Sequence, residues 1–390
     1  MIPNLSFVEH WKLLTPENIH ARKLWPWGYS IQKIIAASEP KPRETDHLVI
    51  ASDYGGNHAK ASHLIYCYLV VKGGGREWQS AILAARRDHM RDRGVMSYKR
   101  LNDPVRQRAL VSFLQAAANL DGHLVAIAVD KRQRSLAIMD EAAADNIAAA
   151  FRLKSFWNAR ALEAMLRKTQ FAAILLSMWA LRVSTINWIT DADEFVANDL
   201  RHDDALQATA RYCAFYLPGP QGILRLNTTT QDEDGINFED LCSIPDLAAG
   251  MLSDVSTKLS QVGSWTDRIE KVVHGELTPK VSILADWFWD TDMRLRKTLI
   301  SIDVLEKQLS VRRITMRNGD SGEVPDPDFA LGLSGSEGSV WRSRDSSKPR
   351  VDGVSLTHRL MVLAESAEGC RITRQAASSA LSEEFRQAGK

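Results

Sequence analysis

The chain has 390 residues, of which 45% are apolar and 25% are charged, and this composition excludes a mostly disordered, collagen-like or coiled-coil protein. Since single domains commonly have about 100–150 residues, the length predicts one large domain with appendages. The 49 Lys and Arg residues balance 48 Asp and Glu residues to a net charge of +1, so any surface for a polyanion must be local.

The first half of the chain predicts a hairpin of two strands, followed by helices and a third strand. Residues 1–45 have a helical, tryptophan-rich pattern. Apolar runs at 47–53 and 62–72 predict strands, and the paired glycines between them predict an antiparallel connection. The other elements predicted in this half are helices over 77–118, a third strand over 122–131 and one or two helices over 135–181.

The second half predicts two further strands, each followed by a helix. The strands cover 183–190 and 222–230, and the helices cover 203–217 and 243–262, the second starting with Pro245 at its first position. A helical hairpin over 277–310 and a strand over 311–317 follow. This order of elements predicts an α/β or α+β protein in which helices cover a mixed sheet.

Composition divides the chain into five parts. Residues 318–353 are rich in Gly, Ser, Asp and Pro and predict a mobile linker or a long loop. The predicted parts are an N-terminal helical extension (1–45), a catalytic domain (46–260), a second helical extension (261–317), the linker (318–353) and a C-terminal helical segment (354–390).

Acidic residues recur where predicted strands end. Asp53 ends the first strand, Asp191 follows the fourth, and Asp246 lies in the first turn of the helix after the fifth. Small residues follow Asp246 in the segment DLAAG, so this helix is expected to approach a sheet or a substrate closely. Open α/β sheets bind ligands at the carboxyl ends of their strands, and neighbouring strands lie about 4.8 Å apart, so these carboxylates would share cations if their strands are neighbours. Such oxygen ligands suit Mg²⁺ or Mn²⁺. The pattern predicts two-metal hydrolysis of a phosphodiester.

Each of these acids has an ordinary structural explanation as well. Asp is common at strand ends and at helix starts because its side chain caps turns and favours the helix N-terminus. Asp193 and Glu194, just past Asp191, are candidate ligands or water-positioning bases, and capping of the next helix explains them equally well. Asp130, at the end of the third strand, is predicted to serve a turn.

Four short motifs carry a resemblance to a known family. They are SDYGG around Asp53, SYKRLND around Lys99, WITDADE around Asp191 and SIPDLAAG around Asp246. Over roughly residues 46–260 the chain resembles an uncharacterised, largely bacterial family with Asp-Glu-Ser-Gly and Ala-Asp-Leu motifs in the ribonuclease H-like superfamily. Tyr54 stands where that family usually has Glu, and Pro245 stands in place of the Ala before the last Asp.

The resemblance implies a ribonuclease H-like mixed sheet with flanking helices and a metal-dependent nuclease activity. It implies that Asp53, Asp191 and Asp246 hold the cations, and that the protein serves in mobile elements or in antiviral (phage) defence. Lys99 would neutralise the scissile phosphate or orient a carboxylate as a point charge, although a lone lysine is usually solvated. The Tyr54 departure leaves the number of metal ions open.

A run of basic residues between 86 and 108 predicts a surface for nucleic acid. It contains eight Lys and Arg residues against three Asp, and it includes Lys99. Arginine binds phosphate through its bidentate guanidinium group, but a solvated helical face is an equally good explanation. The arginines assigned to nucleic-acid binding are Arg86, Arg87, Arg91, Arg93, Arg100, Arg106 and Arg108.

The remaining patterns bear on location and partners. The four cysteines lack metal-binding spacing, the start lacks the features of a signal peptide, and no apolar run reaches the about 18 residues of a membrane span. We therefore expect a soluble cytoplasmic protein without a membrane partner. The Trp-rich segments at 23–29 and 285–293 are typical of a core or an interface, which leaves open a homo-oligomer or a protein partner.

Two functions follow from these patterns. The first is the metal-dependent nuclease acting on DNA or RNA. The second is a catalytically inactive module on the same fold that binds nucleic acid or protein, which the Tyr54 departure favours.

Overall fold

The computed structural model describes most of the chain between residues 26 and 314. The described ranges are 26–37, 43–72, 76–92, 94–133, 140–191, 194–216, 223–229, 237–262, 277–305, 308–314 and 371–372. Of the predicted parts, the linker at 318–353 lies outside these ranges, as do residues 1–25 and the C-terminal segment except for 371–372.

The described part of the chain forms eight α-helices and eight strands. The helices are α1 (Pro26–Ala37), α2 (Arg76–His89), α3 (Pro104–Ala118), α4 (Glu141–Ala150), α5 (Ala159–Trp179), α6 (Asp199–Tyr216), α7 (Asn237–Val262) and α8 (Pro279–Trp289). The strands are β1 (Arg43–Gly55), β2 (His63–Lys72), β3 (Gly122–Asp130), β4 (Ala180–Thr190), β5 (Ile223–Thr228), β6 (Arg296–Leu305), β7 (Gln308–Ile314) and β8 (Arg371–Ile372).

These strands form one sheet in the order β7-β6-β3-β2-β1-β4-β5-β8. β1 and β3 are both antiparallel to β2, and the predicted hairpin is β1–β2. On one side, β4, β5 and β8 continue parallel to β1, and on the other, β6 is parallel to β3 and antiparallel to β7. The protein is therefore an α/β protein with a mixed sheet, as the sequence predicted.

Alternation along the strands divides the apolar core between the two faces of the sheet. On β1, Leu48 and Ile50 pack with helices α1, α4, α5 and α6, on what we call the α5 face. Val49 and Ala51 pack with α2, α3, α7 and α8, on what we call the α7 face. Each buried aliphatic side chain of this size contributes about 1.5–3 kcal/mol, so both layers of helices are fixed to the sheet by burial.

The tryptophans of the flanking segments belong to these cores. Trp27 packs on the α5 face and Trp287 on the α7 face, each with 5% of its surface exposed. Neither of these two side chains is available to a protein partner in this fold, whereas Trp289 is half-buried, so a partner at the two segments stays a prediction. Trp11 and Trp25 lie outside the described residues.

The predicted helical hairpin over 277–310 is wrong in its second half. α8 is a helix, but the residues after it form β6 and β7, which extend the sheet beyond β3. Ile300 and Ile302 pack on the α5 face while Leu299 packs on the α7 face, the period-two pattern of a buried strand. The predicted boundary at 261 therefore cuts through one sheet. The strand predicted over 311–317 is confirmed in part by β7.

The helix that carries Asp246 begins earlier than predicted. Pro245 was expected at its first position, but α7 starts at Asn237 and Pro245 lies inside it. Phe238 and Leu241 are buried against the sheet and stabilise the turns before the proline. Their burial outweighs the loss of one backbone hydrogen bond at Pro245.

Within the residues given above, no helix is both long enough and apolar enough to cross a membrane.

Candidate functional site

The strands that carry two of the predicted acids are direct neighbours. β1 and β4 are parallel, and Ser52 of β1 lies opposite Thr190 of β4. Asp53 and Asp191 are the next residues of the two segments, so both lie at the carboxyl edge of the sheet. This is the placement that a shared cation site at the edge requires.

Helix α7 brings the third acid to the same edge. A Cβ atom at Gly55 would lie only 2.8 Å from the carbonyl oxygen of Ala249, so the helix touches the end of β1. The small residues after Asp246 were expected to allow a close approach, and this contact confirms it. The carboxyl groups of Asp53 and Asp246 lie close enough together that each changes the pKa of the other. We call Asp53 and Asp246 the acid pair.

The pKa values of both members of the acid pair are raised above the usual value of an Asp carboxyl group. Burial raises the pKa of Asp53 well above its usual value of 3.8, and the negative charge and hydrogen bond of Asp246 raise it further. Burial also raises the pKa of Asp246, although the hydrogen bonds from Asp53 and from the Tyr98 N–H and the charge of Lys99 oppose that effect. A proton shared between the two groups relieves the repulsion of their charges.

Asp191 is close to the acid pair but does not touch both of its members. Its charge raises the pKa of Asp53 and of Asp246. Its side chain is exposed, and its Oδ1 accepts a hydrogen bond from the Thr229 hydroxyl at 3.2 Å. These three acids do not form a group with ligand atoms all within 4.8 Å of one another, since the only such group among the described residues lies elsewhere.

Lys99 reaches the acid pair from a short 3-10 helix, Tyr98–Arg100. The Tyr98 N–H donates to Asp246 Oδ2 at 2.7 Å, and the exposed Lys99 ammonium lowers the pKa of Asp246. The charge of Lys99 thus acts on Asp246, while the catalytic role of Lys99 stays a prediction.

Tyr54 lies on the other side of the sheet from the acid pair. Its ring packs edge-on against Tyr66 and Phe195, and Lys168 Nζ lies 4.0 Å from its centroid. The alternation of β1 thus points position 54 away from Asp53. A side chain at position 54 therefore does not serve as a ligand beside the acid pair.

Two thiols lie beneath the acid pair. Burial raises the pKa of Cys67 and of Cys242, and the charges of Asp53 and of other nearby acids raise both further. Since only the thiolate is a good metal ligand, these neutral thiols leave oxygen atoms as the donors at this edge.

The roles of the two secondary candidates near Asp191 stay predictions. Asp193 lies outside the described residues. Glu194 begins the short 3-10 helix Glu194–Val196.

Two of the arginines assigned to nucleic acid are structural, which corrects that prediction. Arg86 is buried and donates from Nε and Nη2 to Asp240 of α7, at 2.7 and 2.5 Å. Arg106 is also buried and pairs with Asp92. The Arg86 guanidinium joins α2 to α7, and the Arg106 guanidinium joins α3 to the turn after α2, so neither group faces a polyanion.

The other cations of the basic run that the structure describes lie at the surface. Arg93 lies outside the described residues. The side chains that are exposed are Arg87, Arg91, Lys99, Arg100 and Arg108. Their contact with nucleic acid stays a prediction.

The sequence did not predict a second group of possible metal ligands, two acids and a histidine, at the same edge of the sheet. His63, Asp130 and Asp303 each offer a ligand atom, and these atoms lie within 4.8 Å of one another. They come from β2, β3 and β6, at the ends nearest the carboxyl end of β1. Asp303 was not among the candidate residues because the sequence predicts a helix for its segment. The turn role predicted for Asp130 is confirmed, since its Oδ1 accepts from the Arg132 N–H at 2.8 Å.

Cations of the protein already balance this second group. Arg132 donates to Asp130 Oδ2 from Nε at 2.8 Å, and Arg312 donates to Asp303 Oδ2 at 2.9 Å. His63 Nε2 lies 2.9 Å from Asp303 Oδ1, and its Nδ1 lies 2.8 Å from the Ser62 hydroxyl. A metal ion would have to displace both arginines, so this arginine-paired group is better suited to joining β2, β3 and β6.

Comparisons of the chain with protein-family models, with curated proteins and with solved structures gave no match.

Proposed function

We propose that the protein is a metal-dependent nuclease of the ribonuclease H-like type, which hydrolyses phosphodiester bonds of DNA or RNA. The observation that carries the proposal is the close approach of two half-buried carboxyl groups, Asp53 and Asp246, next to Asp191 at the carboxyl edge of the sheet. A bound cation relieves such repulsion by taking the place of the shared proton.

The arrangement of the strands supports the same proposal. Three antiparallel strands, β1 to β3, are followed by β4 and β5, which add on the far side of β1 and parallel to it. This is the order expected of a ribonuclease H-like sheet. In such a sheet the first strand is central, and here it carries Asp53 with α7 lying across its end.

The donor set of the acid pair fits Mg²⁺ or Mn²⁺. Carboxylate oxygens are hard ligands, and the thiols beneath them are neutral. Asp53 and Asp246 would hold the ion, with Asp191 as the third proposed ligand. Two such ions, when bound, activate a water molecule and stabilise the leaving oxygen.

The protein's own groups would orient the substrate. Lys99 is exposed beside Asp246, where its ammonium would bind the phosphate next to the bond that is cut. The exposed Arg87, Arg91 and Arg100 are proposed to bind neighbouring backbone phosphates. The Tyr98 N–H holds Asp246 in place by donating to its Oδ2.

The proposal is tested by cleavage of single-stranded and double-stranded DNA, RNA and an RNA–DNA hybrid, with Mg²⁺, Mn²⁺ or EDTA. Asp53→Asn and Asp246→Asn are expected to lose more than about a hundredfold in rate, because even residues behind the ligands of a metal site contribute 10–100-fold. Asp145→Asn is the matched control, since Asp145 is an exposed acid on α4, away from the site.

Three results would contradict the nuclease. They are cleavage that EDTA does not stop, equal rates in the wild type and the Asp53→Asn, Asp246→Asn double variant, and absence of cleavage in the wild type. Salt-dependent binding of nucleic acid without any cleavage would favour the inactive binding module instead.

A further inference from the structure

Tyr98 lies along one face of α7 and contacts it at both ends. Asp246, Gly250 and Asp254 are spaced by four residues, so their side-chain positions lie one above the other on that face. The Tyr98 N–H donates to Asp246 Oδ2 at 2.7 Å, and the Tyr98 hydroxyl donates to Asp254 Oδ2 at 2.5 Å. A single residue therefore joins two carboxylates two helical turns apart.

The ring of Tyr98 is held between two helices. A Cβ atom at Gly250 would lie 2.1 Å from Tyr98 Cγ, so the ring rests on the backbone of α7 where only glycine leaves room. From α8, Lys280 Nζ lies 4.3 Å from the ring centroid, within the range of a cation–π contact. Burial and the hydrogen bond to Asp254 raise the pKa of Tyr98, so its hydroxyl remains a proton donor.

These contacts determine where Lys99 lies. The short 3-10 helix is closed by backbone hydrogen bonds from the Arg100 and Leu101 N–H groups, and its N-cap Ser97 has no side-chain capping bond. The Tyr98 side chain connects this turn to α7. Since Lys99 is the next residue, fixing Tyr98 on α7 fixes the start of the Lys99 side chain beside Asp246.

We propose that Tyr98, anchored by Asp254, is a positioning residue that sets Lys99 against the acid pair for the reaction on the phosphodiester. The inference rests on the proposed nuclease function. It assigns Asp254 the role of an anchor for a hydroxyl group and not that of a metal ligand, since its Oδ2 is already engaged by Tyr98.

The test compares Tyr98→Phe and two variants of the anchor with a matched control. Tyr98→Phe keeps the ring and the backbone N–H and removes only the hydroxyl. Asp254→Asn keeps an oxygen that accepts from it, whereas Asp254→Ala removes the acceptor. Tyr68→Phe removes another buried hydroxyl, which donates to the Lys168 carbonyl oxygen at 2.9 Å on the opposite face.

Hydrogen–deuterium exchange measures the anchoring without relying on activity. In Tyr98→Phe and Asp254→Ala the amides of residues 98–101 are expected to exchange about tenfold faster or more, because a hydrogen bond to a charged acceptor is lost. Tyr68→Phe is expected to leave these amides unchanged. Unchanged exchange in Tyr98→Phe would overturn the anchoring.

Kinetics separate positioning from general stability. Tyr98→Phe is expected to lower kcat by about tenfold or more with little change in KM, and Asp254→Asn to lose less than Asp254→Ala. If Tyr98 acts through Lys99, Tyr98→Phe has a much smaller effect in a Lys99→Ala background than in the wild type. Full additivity of the two changes would overturn the inference.

Calorimetric titration with Mn²⁺ completes the test. Tyr98→Phe and Asp254→Asn are expected to keep the Mn²⁺ affinity within about threefold, since neither removes a proposed ligand. Loss of Mn²⁺ binding in Asp254→Asn would make Asp254 a ligand and overturn its role as an anchor. If the wild type cleaves and Tyr98→Phe is equally active, this inference alone is overturned. If the wild type neither binds Mn²⁺ nor cleaves, the proposed nuclease function and this inference are overturned together.

Discussion

The acid pair and the arginine-paired group lie at one edge of one sheet, yet their charges are balanced in opposite ways. In the arginine-paired group, each carboxylate has a guanidinium partner from the protein. Burial acts to raise the pKa of Asp303, but the hydrogen bonds from His63 and Arg312 outweigh it, so that the pKa is lowered. In the acid pair burial prevails, so that both pKa values are raised, and the charge of Asp246 raises the pKa of Asp53 further.

This difference separates a structural ion cluster from a candidate site. Buried carboxylates that the chain neutralises with its own arginines hold strands together and have little left to offer a cation. Buried carboxylates without such partners destabilise the apoprotein at neutral pH and gain from any cation that binds. Distances between ligand atoms alone would favour the arginine-paired group as the metal site, because of the two groups only this one has three ligand atoms within 4.8 Å of one another.

The largest expected effect comes from removing charge in the arginine-paired group. Asp303→Asn is expected to lower the free energy of unfolding by about 3 kcal/mol, because breaking a buried pair leaves Arg312 without its counterion. Urea unfolding measures this change. The Mn²⁺ affinity of the folded protein should stay unchanged. A variant that is as stable as the wild type but loses Mn²⁺ binding would reverse the roles assigned to the two groups.

A smaller effect is expected where packing holds the acid pair together. Gly250→Ala places a methyl group 2.1 Å from Tyr98 Cγ, so the ring or the helix must move. Overpacking of this kind costs about 1–3 kcal/mol, which thermal unfolding measures. Ala249→Gly, at the neighbouring position, is a control for changes in helix propensity. Wild-type stability together with wild-type Mn²⁺ affinity would show that α7 does not need this close contact.

The smallest expected effect is a change of the free energy of unfolding with pH, and the raised pKa of Asp53 defines its sign. A carboxyl group whose pKa is raised on folding stabilises the protein below its unfolded pKa, near 3.8 for Asp53, and that stability is lost as the pH rises through the folded value. In EDTA, Asp53→Asn is therefore expected to be more stable than the wild type by about 1 kcal/mol at pH 8 but not at pH 4. Asp246, Asp191 and Lys99 also face this group, and they are unchanged in the variant.

With Mn²⁺ in place of EDTA, the wild type is expected to be more stable than Asp53→Asn at pH 8. The ion replaces the shared proton, so it is expected to raise the Tm of the wild type more at pH 8 than at about pH 5 and to leave that of Asp53→Asn unchanged. Thermal unfolding at both pH values, with and without EDTA, checks the prediction. An equal Mn²⁺ shift in Asp53→Asn would remove Asp53 from the proposed ligands.

The sequence was most informative where a local pattern has a single spatial meaning. An apolar run that ends in an acid places that acid at the end of a strand, and this located Asp53 and Asp191 on their strands, whereas the parallel pairing of β1 with β4 that brings them to one edge was left open. The small residues after Asp246 likewise indicated a helix that approaches the sheet closely. Neither conclusion required knowledge of distant contacts.

The sequence failed where the deciding partner is far along the chain. β6 is a strand because it pairs with β3, and its apolar residues fit a buried helix as well as a strand. Arg86 was counted as a surface cation because its counterion Asp240 lies 154 positions away. The early start of α7 depends on Phe238 and Leu241 packing against the sheet, which propensity does not reveal around Pro245.

Helix α7 contacts residues that lie far earlier in the chain, and this large sequence separation has a consequence for folding. The contact from Tyr98 to Asp246 spans 148 positions, and the one from Arg86 to Asp240 spans 154. Loops of this length form late, since their closure entropy is offset only once many other contacts exist. Docking of this one helix thus brings the acid pair, the Lys99 turn and the Arg86 ion pair into place together. A partly synthesised chain that ends before α7 holds Asp53 without Asp246, so the repulsion between them arises only once α7 has docked on the sheet.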